Sequence, residues 1–176
     1  YTGTTTISAG TLSVSDIVVT GGASNIGNAS SAVVLGDDGN KGTLLYTGNT
    51  DGYIRGFTIN AGGGEVDTTT SGQTLTISTA GITANGPLTI GGAGNTTITS
   101  DITGAGGSLT KAGAGTLSLS NTTTLDGNLT ISAGTLSANS SAISLGGNWS
   151  NSGTFTAGTS TVTFIGIGGS IITGTN

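Results

Sequence analysis

The residues of this chain that are most able to take part in catalysis or binding are its charged ones, and most of them lie between positions 37 and 67. Glu65 and Asp67 are separated by one residue, so on a β-strand both side chains lie on one face, about 6–7 Å apart. A glycoside hydrolase uses a pair of carboxyl groups in this way. The full cluster is Asp37, Asp38, Lys41, Asp51, Arg55, Glu65 and Asp67.

Solvated charges at turns and strand edges are the favoured interpretation of this cluster. The chain has only 3 basic residues and few aromatic ones, whereas polysaccharide lyases carry several basic residues and an aromatic cleft. The chain also has no His and no Cys, so Ser–His and Cys–His nucleophile pairs are excluded. We therefore predict a protein that is not an enzyme, with no catalytic residues.

Metal binding is equally poorly supported. Without His or Cys, a transition-metal site would have only carboxylates as ligands. Residues 91–99 have the glycines of the calcium-binding nonapeptide, but Thr96 stands where that pattern needs Asp. Residues 36–40, Gly-Asp-Asp-Gly-Asn, could form an isolated oxygen site, although a plain turn is favoured. We expect no metal site and no cofactor.

The overall charge excludes one large class of partners. The net charge is −5, and the three basic residues, Lys41, Arg55 and Lys111, are far apart in the sequence. Nucleic-acid binding needs a basic surface that displaces counterions from phosphates, so it is excluded. No apolar run approaches the roughly 18 residues that a membrane-spanning helix needs, so no transmembrane helix is expected.

The elements that must position these residues are β-strands. Leu, Ile and Val alternate with Thr and Ser in short runs such as Gln73–Thr79, and this period of two predicts strands with one buried face. Pairs such as Gly91-Gly92 and Gly146-Gly147 separate the runs, as expected at tight corners. Helical periodicity is nearly absent.

Two all-β folds accommodate this pattern, an antiparallel β-sandwich and a parallel β-solenoid. The solenoid is favoured because large anchoring side chains are scarce, with 1 Trp, 3 Phe and 3 Tyr, while a narrow coil can be filled by Leu, Ile and Val. At about 20–25 residues per coil, the chain would form roughly seven to nine coils and a rod about 35–45 Å long.

Two surface features suggest binding roles. Tyr46, Tyr53 and Trp149 are candidate glycan contacts if their rings are exposed, although core packing is the more natural use of Trp149. Thr-x-Thr recurs, and Thr ladders on a flat solenoid face could match ice, but Thr is also favoured on any strand surface. The repeats are at Thr74/Thr76, Thr97/Thr99, Thr154/Thr156 and Thr161/Thr163.

One long segment resembles a known repeat. Ser108–Ala138, SLTKAGAGTLSLSNTTTLDGNLTISAGTLSA, is similar to the autotransporter-associated β-strand repeat, and Tyr1–Val14 is similar to its second half. The heptapeptide ISAGTLS occurs in both segments, at Ile7–Ser13 and Ile131–Ser137. The resemblance implies a right-handed parallel β-helix that is secreted or displayed at a bacterial surface, without implying any chemistry.

The termini suggest a joint between units. Joining the last residues to the first gives ITGTN-YTGTTTISAGTL, which restores most of the repeat across the junction. We therefore expect residues 1–176 to form a single β-solenoid domain, a segment or repeat unit of a longer protein or fibre. The expected assembly edges are Tyr1, Thr2, Gly3, Thr175 and Asn176, which would contact another copy or an adjoining solenoid domain.

The function expected from these observations is structural. The chain is predicted to be an extracellular stalk or filament subunit at a bacterial surface that assembles head to tail and takes part in adhesion. A carbohydrate-binding adhesin module is the main alternative. An ice-binding protein and a polysaccharide-degrading enzyme built on Glu65 and Asp67 are weaker ones.

Overall fold

The computed structural model describes residues 1–17 and 24–174, and within these ranges the chain is built of parallel β-strands without helices. The strands stack into three sheets, which we name A, B and C. Sheet A contains β1 (Thr6–Ile7), β3 (Val33–Leu35), β6 (Phe57–Ile59), β9 (Ile82–Ala84), β12 (Ile102–Thr103), β15 (Thr123–Leu125), β18 (Ala142–Leu145) and β21 (Thr161–Phe164).

Sheets B and C complete the coils. Sheet B contains β2 (Gly10–Val14), β4 (Gly42–Tyr46), β7 (Gly64–Thr68), β10 (Pro87–Gly91), β13 (Ser108–Lys111), β16 (Leu129–Ile131), β19 (Trp149–Asn151) and β22 (Ile172–Gly174). Sheet C contains β5 (Asp51–Tyr53), β8 (Thr74–Ile77), β11 (Asn95–Ile98), β14 (Thr116–Leu119), β17 (Thr135–Ser137) and β20 (Thr154–Thr156).

The chain passes through sheets A, B and C in turn, so it winds into a β-solenoid of about seven turns. In sheet B, Leu109 lies beside Leu129, 20 residues later, and Leu129 lies beside Trp149 after another 20. The predicted parallel solenoid is confirmed, and the alternative of an antiparallel sandwich is wrong. The described residues include no helix that could span a membrane.

The core is a set of columns that run along the rod. Because side chains alternate between the two faces of a strand, one residue of each pair points inward and stacks on its equivalent in the next coil. In sheet B the column Leu88, Leu109 and Leu129 is completely buried. The neighbouring outward positions are hydroxyl residues such as Thr110 and Thr130, which are only partly exposed because they stack as well.

The first coil departs from this plan. Among the described residues it contributes no strand to sheet C, which begins at β5. In its place the chain makes a longer excursion between β2 and β3, and the described part of this excursion buries Ile17, Ile26 and Ala29. Val33 then re-enters sheet A. The excursion therefore adds an apolar cover where the coils further along the rod have a strand.

Candidate functional sites on the faces and ends of the solenoid

The paired carboxyl groups lie on the outer face of sheet B, as expected from their spacing. Glu65 and Asp67 project from the same side of β7, and the Lys41 Nζ donates a hydrogen bond to Glu65 Oε2. Asp67 packs over Gly91 of the next coil, where a Cβ atom would be 2.1 Å from Asp67 Oδ1. Gly91 therefore provides the space that this carboxyl group occupies.

The environment of Asp67 favours its protonated form. Burial raises the pKa of the Asp67 carboxyl, and the charge and hydrogen bond of Glu65 raise it further. The positive charges of Lys41 and Lys111 oppose this shift in the pKa of Asp67. Asp67 Oδ1 is buried and has no hydrogen-bond partner. The pair lies on the outer face of a sheet, and neither residue is in the wall of a pocket described below.

The other members of the charged cluster do not join this pair. Asp51 begins β5 in sheet C, and Arg55 is buried beneath the excursion. Asp37 belongs to a turn, where its Oδ1 accepts hydrogen bonds from the backbone N–H groups of Gly39 (2.8 Å) and Asn40 (2.7 Å). These bonds hold the pKa of Asp37 below its usual value. The described residues contain no group of three or more His, Cys, Asp or Glu arranged for a metal ion.

The candidate glycan-binding aromatics are not surface residues. We expected exposed rings, but Tyr46 and Tyr53 are buried in the first coils, and their hydroxyl groups donate to Asn49 O (2.6 Å) and Gly56 O (3.0 Å). Burial raises the pKa of Tyr53. This expectation was wrong because both tyrosines occupy inward strand positions, where a backbone carbonyl satisfies the hydroxyl. Neither ring is available for stacking on a sugar.

Trp149 lies at the other end of the rod. It is also buried, and its ring packs edge-on against Phe155 with centroids 4.7 Å apart. The two rings form part of the wall of an apolar pocket of about 390 Å³, together with Ala157, Val162, Phe164 and Ile172. Core packing of Trp149, the use we favoured, is therefore confirmed.

Lys111 is a core residue that we did not identify from the sequence. It occupies the inward column between Ile90 and Ile131 and is 2% exposed. Its ammonium group reaches the corner of the coil, where it donates to the carbonyl oxygens of Ala112 and Gly113, and more distantly to Ala133. Burial lowers the pKa of Lys111. The signal was available, because Leu109 and Lys111 are two residues apart and must share a strand face.

Polar side chains, all of them hydroxyl residues except Asn95, form two parallel columns on the outer face of sheet C. One column runs through Thr74, Asn95, Thr116, Thr135 and Thr154, and the other through Thr76, Thr97, Ser118, Ser137 and Thr156. The predicted Thr-x-Thr pairs at 74/76 and 154/156 therefore do lie on one face. Thr99 lies beyond the end of β11, and Thr161 and Thr163 belong to sheet A.

The N-terminal end of the rod is partly covered. Tyr1 is 70% exposed, but its carbonyl oxygen accepts a hydrogen bond from Asn28 N (2.9 Å), and its ring lies against Gly27. Thr2 and Gly3, two further expected assembly edges, are exposed. Sheets A and B end here at β1 and β2, which have no neighbouring strand on their outer side among the described residues.

In the described part of the chain, the last coil leaves apolar side chains exposed, and we call this region (residues 154–174) the open end. Among the described strands, sheets A, B and C end at β21, β22 and β20. Phe164 and Ile172 are exposed here, although their equivalents one coil earlier, Leu145 and Trp149, are buried. Ile167 is fully exposed, and Ile171 and Ile172 are 63% and 57% exposed. Thr175 and Asn176, the remaining expected assembly edges, lie outside the described residues.

Comparison with known proteins agrees with this architecture. The passenger-associated-transport-repeat family matches residues 1–14 and 109–138, the two segments whose motifs resemble this type of repeat. The chain contains passenger repeats of the autotransporter type. It is also 50% identical over 82 residues to the adhesin BmaC autotransporter of Brucella suis biovar 1 (strain 1330). That alignment covers 44% of this chain but only 2% of the adhesin, and no solved structure matches.

The passenger repeat follows the corners and strands of the solenoid. Residues 109–138 run from β13 to the residue after β17, which is more than one complete coil. Passenger proteins of this type are secreted and lie at the bacterial cell surface, and the same location applies to this chain.

Proposed function

We propose that this chain is a non-enzymatic, adhesive stalk segment at a bacterial surface, and that its C-terminal coil stacks on the N-terminal coil of a second copy. The observation that carries this proposal is the set of apolar side chains exposed at the open end. There Phe164 and Ile172, which continue the core columns of Leu145 and Trp149, are exposed in the described part of the chain. Exposed apolar patches of this kind mark interaction surfaces.

The two ends of the rod support a second copy as the occupant. β21 is the outer strand of sheet A at one end and β1 is its outer strand at the other. The same is true of β22 and β2 in sheet B. Because the pairings in both sheets are parallel, β1 and β2 of a second copy can extend these sheets with the same geometry. In sheet C, β20 would instead meet the excursion of the second copy. The contact is heterologous and leads to an open array.

Adhesion is proposed on the basis of the related protein. The matched relative is named an adhesin, and this chain shares half of its residues with it over the aligned segment. A catalytic role receives no comparable support, since Glu65 is paired with Lys41 and neither Glu65 nor Asp67 lines the pocket at the open end. A stalk needs a rigid scaffold, and a continuously stacked core provides one.

Sedimentation velocity over a range of protein concentrations tests the stacking. We expect the wild-type chain to form head-to-tail oligomers and the Ile172→Lys variant to remain monomeric, because a charge at the open end opposes burial. Thr83→Lys is the control, since Thr83 is exposed on β9 in the middle of sheet A, away from both ends of the rod, and this variant should still associate. A wild-type chain that stays monomeric at high concentration would contradict the stacking.

Adhesion is tested separately, so that the two parts of the proposal can fail independently. The chain is displayed on a non-adherent bacterium, and attachment to epithelial cells and to a glycan array is measured. Attachment above that of the empty display strain supports the adhesive role. Binding to the glycan array would support a carbohydrate ligand, whereas an absence of attachment on both surfaces would remove adhesion from the proposal.

A further inference from the structure

Arg55, in the turn that follows β5, carries a positive charge into the interior of the first coils. Its side chain is 3% exposed, and the guanidinium is held by backbone carbonyl groups. Nε donates to Ser31 O (2.8 Å), and Nη1 donates to Ile26 O (3.0 Å) and more distantly to Gly27 O. No carboxylate in the described part of the chain lies within ion-pair distance of Arg55. The salt bridge in that part of the chain joins Lys41 to Glu65. A buried charge without a counter-ion is costly.

The third nitrogen of the guanidinium makes no hydrogen bond to any residue that the structure describes. Arg55 Nη2 is buried and has no partner, although a guanidinium offers five N–H donors. The backbone from Gly27 to Ser31, which we call the arch, curves around this group, because both ends of the arch accept hydrogen bonds from it. Native proteins seldom leave a buried cationic donor unsatisfied, so the group needs a partner that residues 1–17 and 24–174 do not supply.

A pocket lies beside Arg55, which forms part of its wall. It has a volume of about 310 Å³ and is lined by Asn28, Ala29 and Ser30 of the arch, together with Ile54 and Arg55. This volume is at the lower limit of small-molecule sites and suits a ligand the size of a single sugar or one side chain. Asn28 and Ser30 are exposed, so their side chains can move aside to admit a ligand to the buried Nη2.

We propose that this pocket, which we call the arch pocket, is a binding site for a carboxylate group, with Arg55 as the residue that recognises the anion. One positive charge matches a monoanion such as a carboxylate, whereas a phosphate dianion would leave a negative charge uncompensated in a partly buried site. Charge-assisted hydrogen bonds from a guanidinium to a carboxylate are among the stronger polar contacts in proteins. The carboxylate could belong to a sugar acid or to an acidic side chain of a protein.

Nuclear magnetic resonance of the Arg55 side-chain N–H groups in the full chain tests the proposal. Acetate, glucuronate and inorganic phosphate are titrated separately, with glucose as the neutral control. We expect saturable shifts of the Arg55 signals with acetate and glucuronate, and none with glucose. Glucuronate that binds about tenfold more tightly than acetate would support a sugar acid, and equal affinities would support a carboxylate on a protein side chain. Tighter binding of phosphate than of acetate would overturn the proposal.

Variants distinguish the arch pocket from other sites. Ile54→Trp fills the pocket without removing any hydrogen bond of Arg55, and it should weaken acetate and glucuronate binding by at least about tenfold. Ile165→Trp is the matched control, since Ile165 is 49% exposed at the opposite end of the rod, and its binding should equal that of the wild type. Arg55→Gln should abolish binding. The circular dichroism spectrum of this variant is compared with that of the wild type to confirm that it folds. If Ile54→Trp binds as tightly as the control, the proposed pocket is wrong.

Discussion

The heptapeptide ISAGTLS occurs twice in this chain, and its two copies lie in different parts of the solenoid. Residues 7–13 connect sheet A to sheet B in the first coil, whereas residues 131–137 connect sheet B to sheet C inside the rod. Both copies form a corner with the same backbone conformation at the glycine, φ 74° at Gly10 and φ 66° at Gly134. Thus the sequence encodes a corner between two strands, and the corner does not specify which two sheets it joins.

What differs between the copies is the packing around them. Ile131 and Leu136 are completely buried, with coils stacked on both sides. In the terminal copy Ile7 retains 7% exposure and Leu12 is only partly buried. Because local sequence is identical, any difference in energetic importance between the copies must come from stacking. Matched substitutions in the two copies therefore measure stacking directly, without a change in local propensity.

The largest contrast is expected at the corner glycine. At Gly134 a Cβ atom would be 2.4 Å from Gly113 O and 2.5 Å from Gly115 O, whereas at Gly10 it would meet no atom within 4 Å. Gly134→Ala should lower the free energy of unfolding by about 4 kcal/mol, the combined cost of a left-handed Ala and of overpacking. Gly10→Ala should cost only about 1–2 kcal/mol, for the conformation alone. Urea denaturation measures both losses of stability. Equal losses in the two variants would mean that stacking of coils does not cause the difference between the two copies.

The Leu residue of the same heptapeptide provides the second contrast. Leu136→Ala removes a completely buried side chain and should lower the free energy of unfolding by about 3 kcal/mol. Leu12→Ala should cost about 1 kcal/mol, because Leu12 is already partly exposed and has a stacked coil on one side only. Urea denaturation followed by tryptophan fluorescence and by circular dichroism would measure both losses. A larger loss in Leu12→Ala than in Leu136→Ala would contradict this account.

The excursion over the first coil allows the terminal copy to be weakened on its own. Ile26 is completely buried in this cover, and Thr5 Oγ1 donates to its carbonyl oxygen (2.8 Å). Ile26→Ala should cost about 2 kcal/mol. Amide hydrogen exchange should accelerate in residues 7–13 and remain unchanged in residues 131–137, because opening is local in a stacked rod. Equal acceleration in both copies would instead indicate one cooperative unit.

The fold was predictable because its determinants are local and repeated. The alternation of Leu, Ile and Val with Thr and Ser identified the strands, and the match of residues 109–138 to the passenger repeat confirmed the resemblance seen in the sequence. The spacing of Glu65 and Asp67 placed both on one face. The choice between sandwich and solenoid rested on the scarcity of aromatic side chains, and it was correct.

The features that escaped prediction depend on contacts between coils. Tyr46 and Tyr53 were candidate glycan contacts if exposed, but they lie in inward columns, beside Thr68 and Ile77 of the next coil. The role of Arg55 depends on carbonyl groups 24 to 29 residues away, which no local pattern indicates. The covering role of Ile26 was hidden for the same reason, since the excursion lacks strand periodicity.

The smallest expected effect is the dependence of stability on pH. It provides a check on the comparison between the two copies of the heptapeptide. Neither heptapeptide contains a charge, so the difference between Leu136→Ala and Leu12→Ala should be the same at pH 3 and pH 7. Asp67 behaves differently, since its pKa in the folded chain is raised. The folded state then binds a proton more readily than the unfolded state, and stability falls as pH rises from about 3.8 through the raised pKa.

Replacing this carboxyl group tests the direction of that effect. Asp67→Asn should be more stable than the wild type at pH 7, with the advantage disappearing below about pH 3.8, where both forms are neutral. Asp38→Asn removes a charge from an exposed turn and serves as the control. The measurement is the urea midpoint of each variant at pH 3 and pH 7. A loss of stability at pH 7 in Asp67→Asn would mean that attraction to Lys41 and Lys111 outweighs burial, and that the outer face of sheet B is stabilised by its charges rather than by stacking.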